Sequence, residues 1–414
     1  MMNISILHFA APPIVGGVES TIFHHSRLLS NTGYDVSVIA GRGEIFNNEI
    51  LLHLIPEIDS RHPEVIDIGN ALAIGEVQNE FTNLRDTLFQ KLNVLLENTD
   101  IFIVHNVITL HKNLALTAAL KLISEQKQPA MIAWCHDFAW QDTLYTPDLH
   151  PGYPWDLLRS PWPDVRYVTV SNHRKDMLAD LLGIPGTEIT VIPPGIDIDQ
   201  FLKLSPLTRE IIDHLELLDS DPLVLLPTRL TRRKNIEFAL RVIGSIKHDF
   251  PEVSLIITGP PGPHNPKNIA YLESLRSLRN ELLLESNVHF LYEFGELGQT
   301  MTIPDEVIAD FYQISDILLF PSYHEGFGIP ILESGLARLP IFSSDIPPVR
   351  ESSNGLVNLF DPNGDPMKVG NQITSYLKSD RAYKLRKNII AQFTWNSILN
   401  TKILPLLDEI GIQT

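Results

Sequence analysis

Two glutamates eight positions apart, Glu325 and Glu333, flank the run Gly326-Phe327-Gly328-Ile329-Pro330-Ile331-Leu332. Gly326 and Gly328 would expose backbone amides where a helix begins, and Pro330 suits the first helical turn, where its missing N–H costs nothing. Glu325 then lies in the loop and Glu333 inside the helix. Each carboxylate can accept hydrogen bonds from vicinal hydroxyls of one elongated ligand. In a chain with 50 acidic residues the spacing alone says little, and the glycines between the carboxylates carry the signal.

A second constellation, Thr228-Arg229-Leu230-Thr231-Arg232-Arg233-Lys234-Asn235, gathers three arginines and a lysine in an acidic chain. Placed after a strand, such cations suit a diphosphate, Arg through its bidentate fork and Lys as a point charge. A solvated basic turn is the plain alternative. Position favours phosphate contact by Arg229 and Lys234, with Arg232 and Arg233 facing solvent.

Gly16-Gly17-Val18-Glu19 follows the opening strand and precedes a helix. Two glycines let the backbone approach a ligand closely, and amides at a helix start favour an anion. The run is not GxGxxG, so the dinucleotide fingerprint is missing. A tight strand–helix turn explains the glycines equally well, and Glu19 equally suits the helix dipole. His136-Asp137 follows another apolar run, and a structural histidine, a general base and a hydroxyl ligand all stay open there. Trp134, Trp140, Trp155 and Trp162, with Tyr145 and Tyr153, suit stacking on a sugar ring or a loop packed on its own domain. Metal and nucleophile readings are weak. His24 and His25 would point apart on a helix, and His324-Glu325 is not part of HExxH. Cys135 and His136 would face opposite ways on a strand.

These groups need a scaffold. Short apolar runs at Asn3–Phe9, Tyr34–Ala40, Ile101–His105, Ala130–Cys135, Tyr167–Ser171 and Glu188–Ile192 predict strands covered on both faces. Glu19–Ser30, Thr82–Leu96 and Leu114–Glu125 predict helices between them. The pattern breaks at Pro193-Pro194-Gly195-Ile196-Asp197. It restarts with strands predicted at Leu223–Pro227, Val253–Gly259, Asn287–Leu291, Asp316–Pro321, Leu339–Ser343 and Leu356–Phe360. The expected fold is α/β, with two doubly wound Rossmann-like domains at residues 1–194 and 195–393 facing across a cleft, and a last helix over 394–414.

Composition excludes other classes. The 414 residues include one cysteine, Cys135, so no internal disulfide can form. With 32 basic against 50 acidic residues the net charge is −18, which argues against nucleic-acid partners and against docking on anionic lipid. No segment reaches the ~18–20 apolar residues that span a bilayer. The first basic residue is Arg27, so no secretory n-region precedes the opening apolar run, and a cytoplasmic location is expected.

Taken in order, GGVE, HD, RLTRRKN and EGFGIPILE resemble the retaining GT-B glycosyltransferases of family GT4, over nearly the whole chain. The resemblance implies a nucleotide-diphosphate sugar held mainly by the second domain and an acceptor held mainly by the first. Arg229 and Lys234 would neutralise the diphosphate, and Glu333 would hold the ribose hydroxyls. Glu325, with the amides of Gly326, Phe327, Gly328 and Ile329, would hold the transferred hexose. His136 would contact that sugar, the Gly16-Gly17 loop would lie by the diphosphate, and Glu19, Asp137 and Trp140 are candidates for the acceptor. No cofactor and no metal are implied, because the basic pair supplies the positive charge. In the family the last helix commonly crosses back to the first domain. Two departures stand out. Thr258–Pro266 replaces a short glycine turn near the base, and the hinge reads PPGID rather than NGID. Similar hinges occur in sucrose-phosphate-synthase-like members, which favours a small soluble acceptor, phosphorylated or sugar-like. A GT-B-shaped sugar-nucleotide epimerase and a non-catalytic sugar-binding protein are the rival readings.

Overall fold

A computed structural model of the chain describes residues 2–261, 267–294 and 303–411. The described residues form two compact units, one of residues 1–196 with 393–414 and one of residues 197–392.

In the first unit the strands are β1 (Asn3–Ala10), β2 (Asp35–Arg42), β3 (Leu51–Leu54), β4 (Ile101–His105), β5 (Ala130–Cys135), β6 (Arg166–Thr169) and β7 (Ile189–Val191). They form one parallel sheet in the order β3-β2-β1-β4-β5-β6-β7. The second unit holds β8 (Leu223–Leu226), β9 (Ser254–Ile257), β10 (Val288–Phe290), β11 (Ile317–Phe320), β12 (Ile341–Ser344) and β13 (Asn358–Phe360). These are also parallel, in the order β10-β9-β8-β11-β12-β13. Both orders reverse beside their first strand, between β1 and β4 and between β8 and β11. At such a switch point the loops beyond the strands diverge and leave a crevice at their carboxyl ends. The expected α/β class and the two Rossmann-like sheets are both present.

The apolar runs form strands because helices cover both faces of each sheet: β4, β8, β9, β11 and β12 are buried along their whole length. In the first unit the core lies on two sides of the sheet. One side holds Leu88, Phe102, Leu116 and Trp155. The other holds Ile4, Ile22 and Val38 with Ile398, Leu399, Ile403, Leu407 and Ile410 from the end of the chain. That last segment, expected as one helix, runs as α-helix over Trp395–Ile398, a π-turn over Leu399–Ile403 and α-helix again over Leu404–Gly411. Leu399 and Ile403, at the two ends of the π-turn, are both buried. Strand β3 was not expected. It is a four-residue edge strand with a half-exposed pattern, too short for periodicity to register. Among the described residues no helix is long and apolar enough to cross a membrane.

Candidate active site

In the second unit the loops after β8 and β9 close on each other. The Gly259 amide donates to the Thr228 carbonyl at 3.1 Å and the Leu230 amide to the Pro260 carbonyl at 3.0 Å. Position 259 has to be glycine, since a Cβ there would collide with the Thr228 carbonyl. The closure turns Arg229 outward: it is exposed and forms no ion pair among the described residues. Arg229 rims a cleft of about 880 Å³ with Thr228, Gly259 and Pro260. The size is that of a small-molecule site. The other wall comes from two helices, Asp305–Ile314 and Ile329–Leu336. Asp305, Ile308, Ala309 and Tyr312 on the first, and Glu333, Leu336 and Ala337 at the end of the second, line the cleft at the three- and four-residue spacing of a helix face. The expected loop Thr258–Pro266 enters here through Thr258, Gly259 and Pro260, while residues 262–266 lie outside the described residues.

Gly328 precedes the second helix at φ 89°, a left-handed conformation that a side chain would strain, and Pro330 takes the first turn as expected. Phe327 and Ile329 are exposed beside it. Glu333 is also exposed, and its Oε2 accepts a 2.5 Å hydrogen bond from the Tyr312 hydroxyl. Burial and the Glu333 carboxylate push the Tyr312 hydroxyl well above the ordinary phenol range, so it stays a donor.

Lys234 and Glu325 are paired with each other. Arg232–Lys234 forms a single 3-10 turn, closed by Asn235 at φ 52°, whose side chain donates to the Pro362 carbonyl at 3.0 Å. The turn sends Lys234 inward, where Nζ meets Glu325 Oε1 at 2.5 Å and lies 5.1 Å from the Phe320 ring centroid. The lysine's pKa is lowered by burial, against the raising pull of Glu325. The two side chains, assigned from the sequence to diphosphate and to sugar, hold each other. Arg233 does not simply face solvent: its Nη1 donates to the His324 carbonyl at 3.3 Å and lies 3.9 Å from Glu325 Oε2. Arg232 is 73% exposed, as expected, with its guanidinium over the Tyr271 ring.

In the first unit, Gly16 caps the helix Gly17–Asn31 in extended conformation. A Cβ on Gly16 would collide with Glu19 Oε2, so the glutamate folds back over the helix start. The position favourable to an anion is filled by the chain's own carboxylate. After β5, the amides of His136 and Asp137 both donate to Asn106 Oδ1, at 3.1 and 3.0 Å. Asn106 Nδ2 donates to Asp137 Oδ2 at 2.9 Å, and Arg174 lies 3.6 Å from the other carboxylate oxygen. His136 Nε2 is buried and has no hydrogen-bond partner among the described residues. Burial, opposed by Asp137 and reinforced by His8 and Arg174, lowers its pKa to about 4. It is therefore neutral at neutral pH. Trp140 donates its indole N–H to the Trp155 carbonyl at 3.1 Å and carries the Arg159 guanidinium over its face. Trp134, Trp155 and Trp162 are buried in the core, the packed-loop reading. His24 and His25, expected to point apart, both reach the Trp395 ring, at 4.8 and 5.4 Å, because the indole spans the helix surface between them. Among the described residues no group of three or more His, Cys, Asp or Glu could hold a metal ion.

Sequence reasoning missed Asn106 and Tyr312. Asn106 directly follows β4 at φ 50°, and an asparagine in that place after an apolar strand was the available signal. Tyr312 meets Glu333 across 21 positions of chain, and no local pattern marks such a pair.

The chain matches two family models, Glycosyltransferase Family 4 over residues 15–200 and Glycosyl transferases group 1 over residues 208–393. It is 26% identical over 288 residues to the mannosylglucosylglycerate synthase of Petrotoga mobilis, covering 65% of this chain and 65% of that protein. Against the enzyme of the same name from Thermotoga maritima it is 21% identical, over 84% of this chain and 83% of that one. Against the GDP-mannose-dependent alpha-(1-6)-phosphatidylinositol monomannoside mannosyltransferase of Mycolicibacterium smegmatis it is 27% identical, over 45% of this chain and 44% of that one. The first match thus spans just under two thirds of its relative's length and the last under half. One family model falls on each doubly wound unit and together they cover most of the sequence, so the chain belongs to the family 4, group 1 glycosyltransferases.

Proposed function

We propose that the chain is a retaining, metal-independent glycosyltransferase that moves a hexose from a nucleotide-diphosphate sugar to a hydroxyl of a small soluble acceptor, acting in the cytoplasm. The observation that carries this reading is the convergence on one cleft beyond β8 and β9 of Arg229, which forms no ion pair among the described residues, the exposed carboxylate of Glu333 and the glycine-closed Thr228–Pro260 backbone. A guanidinium and a carboxylate on one rim match the two ends of a nucleoside diphosphate, the phosphates and the ribose diol. Two relatives are named for mannosylglucosylglycerate synthesis, which favours a small hydroxylated acceptor, and a third for GDP-mannose-dependent transfer, which favours a nucleotide-sugar donor.

On this reading Arg229 stabilises the charge that builds on the departing diphosphate, the largest single contribution the protein makes. Lys234, reaching the same phosphates from its bond to Glu325, shares its charge between them. Glu325 and the amides of Gly326, Phe327, Gly328 and Ile329 hold the hexose hydroxyls. The departing phosphate oxygen takes the proton of the acceptor hydroxyl as it attacks the same face of the oxocarbenium-like sugar, so no protein base is needed. His136, being neutral, contributes a hydrogen bond rather than a charge. Glu19, Asp137 and Trp140 belong to the acceptor side, and the Gly16-Gly17 loop lies by the diphosphate.

The test is a thermal-shift screen of UDP-, GDP- and ADP-sugars. Each stabilising donor is then incubated with glycerate, hexose and hexose-phosphate acceptors while nucleoside diphosphate and product are followed. A donor at 100 times its dissociation constant raises stability by about 2.7 kcal/mol. Diphosphate release with a new α-linked glycoside supports the reading. A new nucleotide sugar with no glycoside would replace transfer by epimerisation.

A further inference from the structure

Tyr312 has a place that packing alone does not explain. Its ring belongs to the core of the second unit and the residue is 5% exposed, a position that phenylalanine would fill as well. Its hydroxyl does not satisfy a backbone group. It reaches 2.5 Å to Oε2 of Glu333, an exposed side chain on a different helix, and both residues line the cleft. An exposed glutamate is ordinarily a mobile group with several rotamers, and a ligand that uses it must first order it. Here one oxygen is already fixed by a rigid donor anchored in the core.

We propose that Tyr312 is a positioning residue: it holds the Glu333 carboxylate in the orientation that accepts the 2′- and 3′-hydroxyls of the donor's ribose. The proposal rests on the ribose role of Glu333 proposed above. A carboxylate offers about four lone-pair sites. Tyr312 occupies one, so Oε1 stays open and Oε2 keeps a second site, enough for a vicinal diol. The remaining charge is what makes those bonds strong. Tyr312 does not touch the ribose on this account. It fixes the atom that does.

The experiment compares calorimetric affinities for UDP, GDP and ADP with those for their 2′,3′-dideoxy counterparts. The proteins are the full-length wild type, Tyr312→Phe, Glu333→Gln and the double variant. For the best-bound diphosphate, the wild type should favour the ribose form by about tenfold or more, the size of one good charge-assisted contact. Tyr312→Phe should cut that ratio about threefold or more while leaving dideoxy binding unchanged, and should add nothing once Glu333→Gln is present. A structural role alone would shift both affinities together, or lower the melting temperature and leave the ratio intact. If Glu333→Gln collapses the ratio and Tyr312→Phe does not, the ribose role stands and the positioning role is overturned. If Glu333→Gln leaves the ratio as it was, the ribose role fails and the positioning role falls with it.

Discussion

Lys234 Nζ lies 2.5 Å from Glu325 Oε1, and the two side chains are only 10% and 8% exposed. Taking two charges out of water is expensive, and each is tolerable only because of the other. Breaking such a pair at one end typically costs ~3–5 kcal/mol, because the survivor is left buried and uncompensated. Glu325→Gln should therefore lower the melting temperature and slow transfer from the intact donor. It should not weaken binding of the free diphosphate, because the lysine loses its competitor. Lys234→Met should weaken diphosphate binding. Differential scanning calorimetry and titration of both variants decide this, and weaker diphosphate binding by Glu325→Gln would overturn it.

Arg229 gives the opposite combination. It is exposed and forms no ion pair among the described residues, so Arg229→Ala should keep its stability within about 0.5 kcal/mol of the wild type. Turnover should nevertheless fall by ~10²–10³, the usual effect of removing one preorganised contact to developing charge. Normal turnover in this variant would remove Arg229 from the site.

On the proposed reading Arg229 and Lys234 supply the positive charge opposite the diphosphate, so transfer should survive EDTA with little loss. Activity that vanishes with chelator and returns with Mg²⁺ or Mn²⁺ would show that the charge is supplied by an ion instead.

Stability should fall on mild acidification. His25 is lowered to about 3 by burial, then by His136 and His24, while His8 and His136 are lowered to about 4, from an ordinary 6.5. Between pH 6.5 and about 4 the unfolded chain binds protons on these imidazoles and the folded chain does not. Each such histidine costs about 1.4 kcal/mol per pH unit across that window and nothing above it. Urea midpoints measured from pH 8 to pH 4.5 should be level down to about 6.5 and then decline. A flat profile would mean that these rings are hydrated in solution.

What could be read from the residues was whatever repeats or lies close along the chain. Buried strands such as Leu223–Leu226 and Ile317–Phe320 are continuous apolar runs, and Gly328 before Pro330 marks a helix start unaided. Arg229 and Glu333, singled out in the sequence, both line the cleft. What was lost were contacts made across the fold. The inward turn of Lys234 depends on a left-handed Asn235 tied to Pro362, 127 positions away. The contact of Arg233 with the His324 carbonyl depends on β8 and β11 being neighbours, which follows from the strand order and not from either segment. Edge strand β3 failed for a different reason: with one side unpaired its burial is incomplete, so its pattern resembles a loop.

The ends of the second unit bear on how this chain could be rebuilt. Residues 197–392 leave the first unit after Ile196 and return at Phe393. The Ile196 amide donates to the Phe393 carbonyl at 2.7 Å, and Gly195 packs so tightly on Trp395 that a Cβ would collide with the indole. Exit and re-entry are thus paired neighbours, and the second unit is an insertion into the first in the topological sense. Domain insertions and exchanges are best tolerated where the two ends of the inserted unit lie close together. On the proposed reading, donor choice could be swapped between relatives by cutting at this seam, leaving acceptor choice and the whole first core in place.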